Sequence, residues 1–219
     1  MPEDRPAIAF DLDGTIVDSV PDLHRAVNLM LADAGRPPIT AAQTLSFIGH
    51  GIPNLVRLAA EASDLPAEDL PELTRSMVAH YMAAPAAETR PYPGVVALLE
   101  TLRAEGWRIG LCTNKDLGPT REILARLDLA KHFDVVIGGD SLDVKKPNPA
   151  PLFAAFEALG GRPVLYVGDS EVDADTAVAA KLPFALFTKG YRKSPVEAVP
   201  HDIAFDDYAE VTARILALT

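Results

Sequence analysis

A chain of 219 residues is long enough for one full core and a smaller appended unit, and with 48% hydrophobic and 23% charged residues it reads as a soluble globular protein that folds without staples. Its 31 acidic against 20 basic residues give a formal charge of -11, which argues against a nucleic-acid partner while leaving room for a local basic patch around a small anion. The single Cys112 excludes a disulfide framework, nothing before Arg5 resembles a signal peptide, and no apolar run approaches the ~20 residues of a bilayer span, so a cytoplasmic protein without a membrane partner is expected.

Ala7, Ile8, Ala9 and Phe10 form a short apolar run that predicts a buried strand, with Asp11 and Asp13 emerging at its C-terminal end. In an open α/β sheet that is where ligands bind. Two carboxylates one residue apart repel each other unless a cation or proton lies between them, and Gly14 lets the backbone come close to a ligand. A divalent metal is the natural guest; an Asp-Gly turn with two solvated acids is the alternative for this stretch taken alone.

From Ser19 the pattern turns helical, with Ser19 as N-cap and Asp22 three residues on, Leu23, Val27, Met30 and Leu31 at helical spacing, and Gly35 at the end. Helix-like pieces continue over 55–62 and 70–82 without strand-like alternation, until Pro85, Pro91 and Pro93 punctuate the chain. After a helix over 95–105 the sequence alternates: strands over 108–113, 135–138, 164–168 and 184–187, and helices over 119–127, 149–159, 173–181 and 208–218. This predicts an α/β core, a Rossmann-like parallel sheet with helices on both faces, built from 1–16 and 91–219. Residues 17–90 are expected to form an all-helical cap inserted after the first strand, joined by two linkers that make a hinge.

Three further stretches follow predicted strands. Thr113, Asn114 and Lys115 offer a hydroxyl, an amide and a backbone N–H that suit phosphate oxygens, or else a helix N-cap. In Lys145-Lys146-Pro147-Asn148-Pro149 two prolines stiffen a loop that holds an ammonium in place, unless the lysines are a solvated pair. In Gly168-Asp169-Ser170-Glu171-Val172-Asp173 the acids Asp169 and Asp173 face the same way in a helical turn, for metal binding or for capping.

Taken together and in order, Asp11-x-Asp13-Gly14-Thr15, Thr113, Lys146-Pro147 and Gly168-Asp169 with Asp173 resemble the four motifs of the haloacid dehalogenase-like superfamily of phosphohydrolases, over essentially the whole chain. The wording Phe10 to Leu23, Phe47-Ile48-Gly49-His50-Gly51 and Thr113-Asn114-Lys115 is similar to the bacterial phosphoglycolate phosphatases within it. The resemblance implies an Asp11 nucleophile that forms an aspartyl-phosphate, and an Asp13 that serves as acid and then base. It implies Mg2+ on Asp11, the Asp13 carbonyl and Asp169, with Asp173 behind them. Thr113 and Lys146 would neutralise the phosphoryl oxygens, assisted by Asn114 and the Gly14 backbone.

The implied substrate is a small-molecule phosphate ester. His50 and Arg57 are the cap residues expected to touch it, ahead of His24, Arg25 and Asn28, which read as solvated helix positions. One departure from the phosphoglycolate pattern is Leu58, where a second arginine often follows the first. A 2-haloacid dehalogenase lacks the second acid supplied here by Asp13, and a phosphonoacetaldehyde hydrolase needs a cap lysine that 17–90 does not contain. A sugar phosphomutase or a pyrophosphatase uses the same core, and a silent phosphate-binding module would need neither nucleophile nor acid.

Overall fold

The structure is a computed structural model that describes residues 5–219. Residues 1–4, at the start of the stretch read as free of a signal peptide, lie outside the described residues. The chain divides into two units, one made of the residues up to Asp18 together with Pro91–Thr219, the other of Ser19–Arg90.

The first unit carries six parallel strands: β1 (Pro6–Phe10), β2 (Arg108–Cys112), β3 (Val135–Ile137), β4 (Arg162–Gly168), β5 (Phe184–Phe187) and β6 (Ile203–Phe205), in the order β3-β2-β1-β4-β5-β6. Parallel connections cross over right-handed, so the chain covers one face while it moves out to β3 and the other while it returns to β6. Both faces of β1 are accordingly apolar, and Ala7, Ile8, Ala9 and Phe10 are all fully buried. Ala7 and Ala9 share one face with Cys112, Tyr166 and Leu186, under Leu152, Ala155, Phe156 and Leu159 of α7 (Ala150–Leu159) and Ala174 and Ala177 of α8 (Glu171–Ala180). On β5 the ring of Phe187 packs against Tyr92, Phe205 and Tyr208. The strand order reverses between β1 and β4, and at such a reversal loops from neighbouring strands part and leave a crevice.

The second unit holds α1 (Val20–Asp33), α2 (Ala41–Phe47), α3 (Ile52–Ala62) and α4 (Leu70–Ala83), with α1 against α4 and α3 against α4. Leu23, Val27, Met30 and Leu31 of α1 are buried, as their spacing predicts. Asp22 departs from its expected part in a capping box. It is fully buried, and its carboxylate accepts from the N–H groups of Glu88 and Thr89 and, at 2.6 Å, from the Thr89 hydroxyl. Burial opposes its charge, but these bonds outweigh burial and hold its pKa below the ordinary carboxylate value.

Helix α2 and strand β6 are among the elements that escaped the sequence pattern. Helix α2 has only seven residues, too few for a period to show, although Thr40 and Gln43 form a reciprocal capping box before it. Strand β6 has three residues and is stitched to β5 by backbone pairing. The remaining α-helices are α5 (Val95–Ala104), α6 (Leu117–Arg126) and α9 (Tyr208–Leu216). Among the described residues no helix is long and apolar enough to cross a membrane.

Candidate active site

Asp11, the first residue after β1, is brought beside three groups distant in sequence. Its Oδ1 accepts from Lys146 Nζ at 2.8 Å, and the same ammonium donates to Asp173 Oδ1 at 2.6 Å and to the Tyr166 hydroxyl at 2.8 Å. A lysine has three donors, so these partners use all of them. Lys146 is itself placed by Asn114, whose Oδ1 accepts from the Lys146 N–H at 2.9 Å while its Nδ2 donates to the Lys146 carbonyl at 3.0 Å. Asn114, the residue expected at the phosphate, thus holds both backbone groups of Lys146.

Asp173 sits at the third position of α8 and receives five donors. Lys146 and the Tyr166 hydroxyl reach Oδ1, while the N–H groups of Asp169 and Ser170 and the Ser170 hydroxyl reach Oδ2. A carboxylate offers about four lone-pair directions, so none is left for a cation. Asp169 is less committed: Oδ1 accepts from the Thr15 hydroxyl at 2.8 Å and Oδ2 from the Tyr191 N–H. Each oxygen keeps a free lone pair.

Electrostatics separate these acids. Burial drives the Asp11 pKa up to about 6, opposed by Lys146 and reinforced by the Asp173 charge. Asp169 is pushed well above the ordinary range by burial and by the neighbouring Asp173 and Asp11 charges. Burial acts on Asp173 too, but Lys146 and its hydrogen bonds outweigh it and hold that group below the usual value. Lys146 is buried as well, yet Asp11 and Asp173 raise its pKa above that of an exposed lysine, so it stays an ammonium.

Ligand atoms of Asp11, Asp169 and Asp173 lie within 4.8 Å of one another, a buried acidic cluster that could hold a metal ion. With Asp173 saturated, Asp11 and Asp169 are the two carboxylates able to ligate. Burial and the neighbouring carboxylates oppose the charge of both, and both are hard oxygen donors, which suits a hard divalent cation. The cradle around Asp169 is tight. A Cβ on Gly14, whose φ is +86°, would lie 2.3 Å from Asp169 Oδ2, and one on Gly190 would lie 2.4 Å from the same atom.

Asp13 carries a partner that sequence reasoning passed over. Lys115 Nζ lies 2.9 and 3.1 Å from its two carboxylate oxygens, and the lysine side chain is only 5% exposed. Lys115 was visible in the Thr113-Asn114-Lys115 wording, but nothing local says where its ammonium goes. The Thr113 hydroxyl oxygen accepts from the Lys115 N–H at 3.2 Å, which leaves its own proton for another acceptor, and Thr113 is buried. Tyr166, within the predicted strand 164–168, and Gly190-Tyr191 are the other site residues the sequence did not single out. Tyr191 also donates its hydroxyl to Asp18 at 2.8 Å.

Within the cap, the polar residues of α1 hold the cap together. His24 Nδ1 is 2.9 Å from the Thr44 hydroxyl, Arg25 donates to Asp22 and the Ala84 carbonyl, and Asn28 bridges both backbone groups of Ile39. Arg57 is half-exposed, paired with Glu61 at 2.6 Å and donating to Asn54. His50 is exposed, between Gly49 at φ +127° and Gly51 at φ +86°.

A family model for haloacid dehalogenase-like hydrolases matches residues 6–181, which include all four strand-end loops. The chain belongs to the haloacid dehalogenase-like hydrolases. A phosphoglycolate phosphatase of Cereibacter sphaeroides is 52% identical to this hydrolase over 217 residues, 97% of this chain and 100% of the relative. A phosphoglycolate phosphatase of Rhodobacter capsulatus is 41% identical, over 93% of this chain and 94% of that one. The crystal structure of a predicted phosphoglycolate phosphatase from Haemophilus somnus superposes with a TM-score of 0.90 at 29% identity, covering 98% of each chain. This haloacid dehalogenase-like hydrolase thus shares its fold, over nearly its whole length, with the Haemophilus somnus protein.

Proposed function

We propose that the protein hydrolyses a small phosphate monoester, 2-phosphoglycolate, to glycolate and phosphate through an aspartyl-phosphate on Asp11. The observation that carries the chemistry is the environment of Asp11, a buried carboxylate held by a fixed ammonium beside Asp169. The substrate rests on the relatives named phosphoglycolate phosphatase, at 52% and 41% identity over nearly the whole chain. A Mg2+ ion held by Asp11, Asp169 and the Asp13 carbonyl supplies charge neutralisation for the phosphoryl group when bound.

Lys146 points Asp11 and carries positive charge to the phosphoryl oxygens, and the Thr113 proton together with the backbone at Gly14 serves the same oxygens. An Asp11 oxygen attacks phosphorus as the bond to the leaving oxygen breaks, and protonated Asp13 gives that oxygen its proton, so glycolate leaves neutral at its hydroxyl. Asp13, now a carboxylate, takes a proton from water as the water attacks the phosphorus of the acyl phosphate. The P–O bond to Asp11 breaks, and Asp11 and inorganic phosphate are released. Asp173, with every lone pair taken, holds Lys146 and the start of α8 in place.

Phosphate release across a panel of small esters tests the reading. The expected result is a preference for 2-phosphoglycolate that Asp11→Asn abolishes; residual turnover in Asp11→Asn rules out the nucleophile. His50→Ala and Arg57→Ala belong in the same panel, where a loss confined to the carboxylate-bearing ester identifies a substrate contact.

A further inference from the structure

We infer that Lys115 determines specificity for an ester whose leaving group carries a carboxylate, by binding that carboxylate when Asp13 protonates the leaving oxygen; the inference rests on the substrate reading above. To act as acid, Asp13 must bring one oxygen within about 2.6 to 3.2 Å of the leaving oxygen. Lys115 Nζ already stands 2.9 and 3.1 Å from the two Asp13 oxygens, so it lies within about 6 Å of the leaving oxygen whichever of them acts.

In a glycolyl ester the carboxyl carbon is two covalent bonds of about 1.5 Å from that oxygen, and its own oxygens reach about one bond further. What remains is one N–H···O contact of about 3 Å. An uncharged leaving group has nothing to offer at that place.

Burial sharpens the effect. The Lys115 side chain is 5% exposed and the Asp13 side chain 16%, so the charge of the ammonium is weakly screened there and an anionic group is preferred to a neutral one. Lys146 cannot do the same, because its three donors are committed to Asp11, Asp173 and Tyr166.

The test compares kcat and KM of the Mg2+-loaded wild type, Lys115→Met and Lys115→Arg on 2-phosphoglycolate and on 2-hydroxyethyl phosphate, which has the same length and no second charge. Lys115→Met is expected to slow both substrates but to cut the preference for the carboxylate ester about tenfold to a hundredfold, the worth of one charge-assisted bond, with KM carrying most of the difference. Lys115→Arg should keep part of the preference. If Lys115→Met lowers both substrates by the same factor, the lysine serves Asp13 alone and the inference is wrong. If the wild type shows no preference, the substrate reading itself has failed, and the inference falls with it. A calorimetric titration of glycolate keeps the question decidable should Lys115→Met not fold. Asp13→Asn removes the competing carboxylate, so glycolate must bind that variant more tightly than wild type, and equal or weaker binding overturns the inference.

Discussion

Replacing Gly14 by alanine adds one methyl group at the most crowded point of the site. That carbon would lie 2.3 Å from Asp169 Oδ2 and 2.8 Å from the Tyr191 ring, at a residue whose φ is +86°. Ordinary contacts are near 3.4 Å or more, so the carboxylate has to retreat by about an ångström. The left-handed backbone and the overpacking together cost about 2 to 5 kcal/mol, which leaves a domain of ordinary stability folded. Function should suffer more than stability. Mg2+ demands near-ideal octahedral geometry with bonds of about 2.0 to 2.1 Å, so a shift of about half a bond length removes Asp169 as a ligand. Losing one charged ligand contact of about 1.5 to 3 kcal/mol weakens Mg2+ binding roughly tenfold to a hundredfold. Titrating activity and thermal stability with Mg2+ reads both effects. If Gly14→Ala binds Mg2+ as wild type does while melting lower, the crowding around Asp169 does not serve a cation, and the metal assignment loses its structural support.

Asn114→Ala leaves the buried N–H and carbonyl of Lys146 unpartnered, so kcat should fall at nearly constant KM, with a loss of about 2 to 4 kcal/mol in urea denaturation; unchanged kcat would show that the clamp does not position the ammonium. Asp22→Asn should destabilise the protein by about 2 to 4 kcal/mol at neutral pH, since the amide cannot accept all of the bonds from Glu88 and Thr89. The folded pKa of Asp22 lies below its unfolded value of 3.8, so its contribution is whole above that value and is lost as the pH falls through the folded one. The stability gap to Asp22→Asn should therefore narrow on acidification below about pH 4. Asp11 behaves oppositely: its folded pKa of about 6 exceeds the ordinary 3.8, so the stabilisation it gives below that value is lost as pH rises towards 6. Urea midpoints in a chelator should decline across that window and flatten with Mg2+; a flat metal-free profile would contradict the crowding of carboxylates.

The fold class was legible because apolar runs of strand length alternate with helical periods after residue 95, and because every polar motif falls just after one of those runs. Their convergence on one crevice follows from parallel strands ending on the same edge, without knowledge of any pair distance. What stayed hidden is what depends on direction at long range. Lys115 and Asp13 are 102 positions apart, and no local pattern aims one at the other. The hold of Asn114 on the backbone of Lys146 was hidden too, because an amide suits an anion as well as it suits a backbone. Tyr166 was absorbed into the apolar count of β4, though a tyrosine in a buried strand needs a partner for its hydroxyl, and that need was the readable clue. Asp22 fitted a capping box by spacing, and only the return of the chain at Thr89 shows what it binds. Strand β6 and helix α2 were too short for periodicity to mark.

The Asp22–Thr89 link also bears on how such inserts travel between proteins. The carboxylate three residues into the cap grips the backbone and hydroxyl of the residue next to its exit, so the segment is buckled shut at its own base. A cassette closed in this way asks little of its host, which needs only to offer two chain ends a few ångströms apart. Its internal packing is then insulated from changes in the rest of the chain.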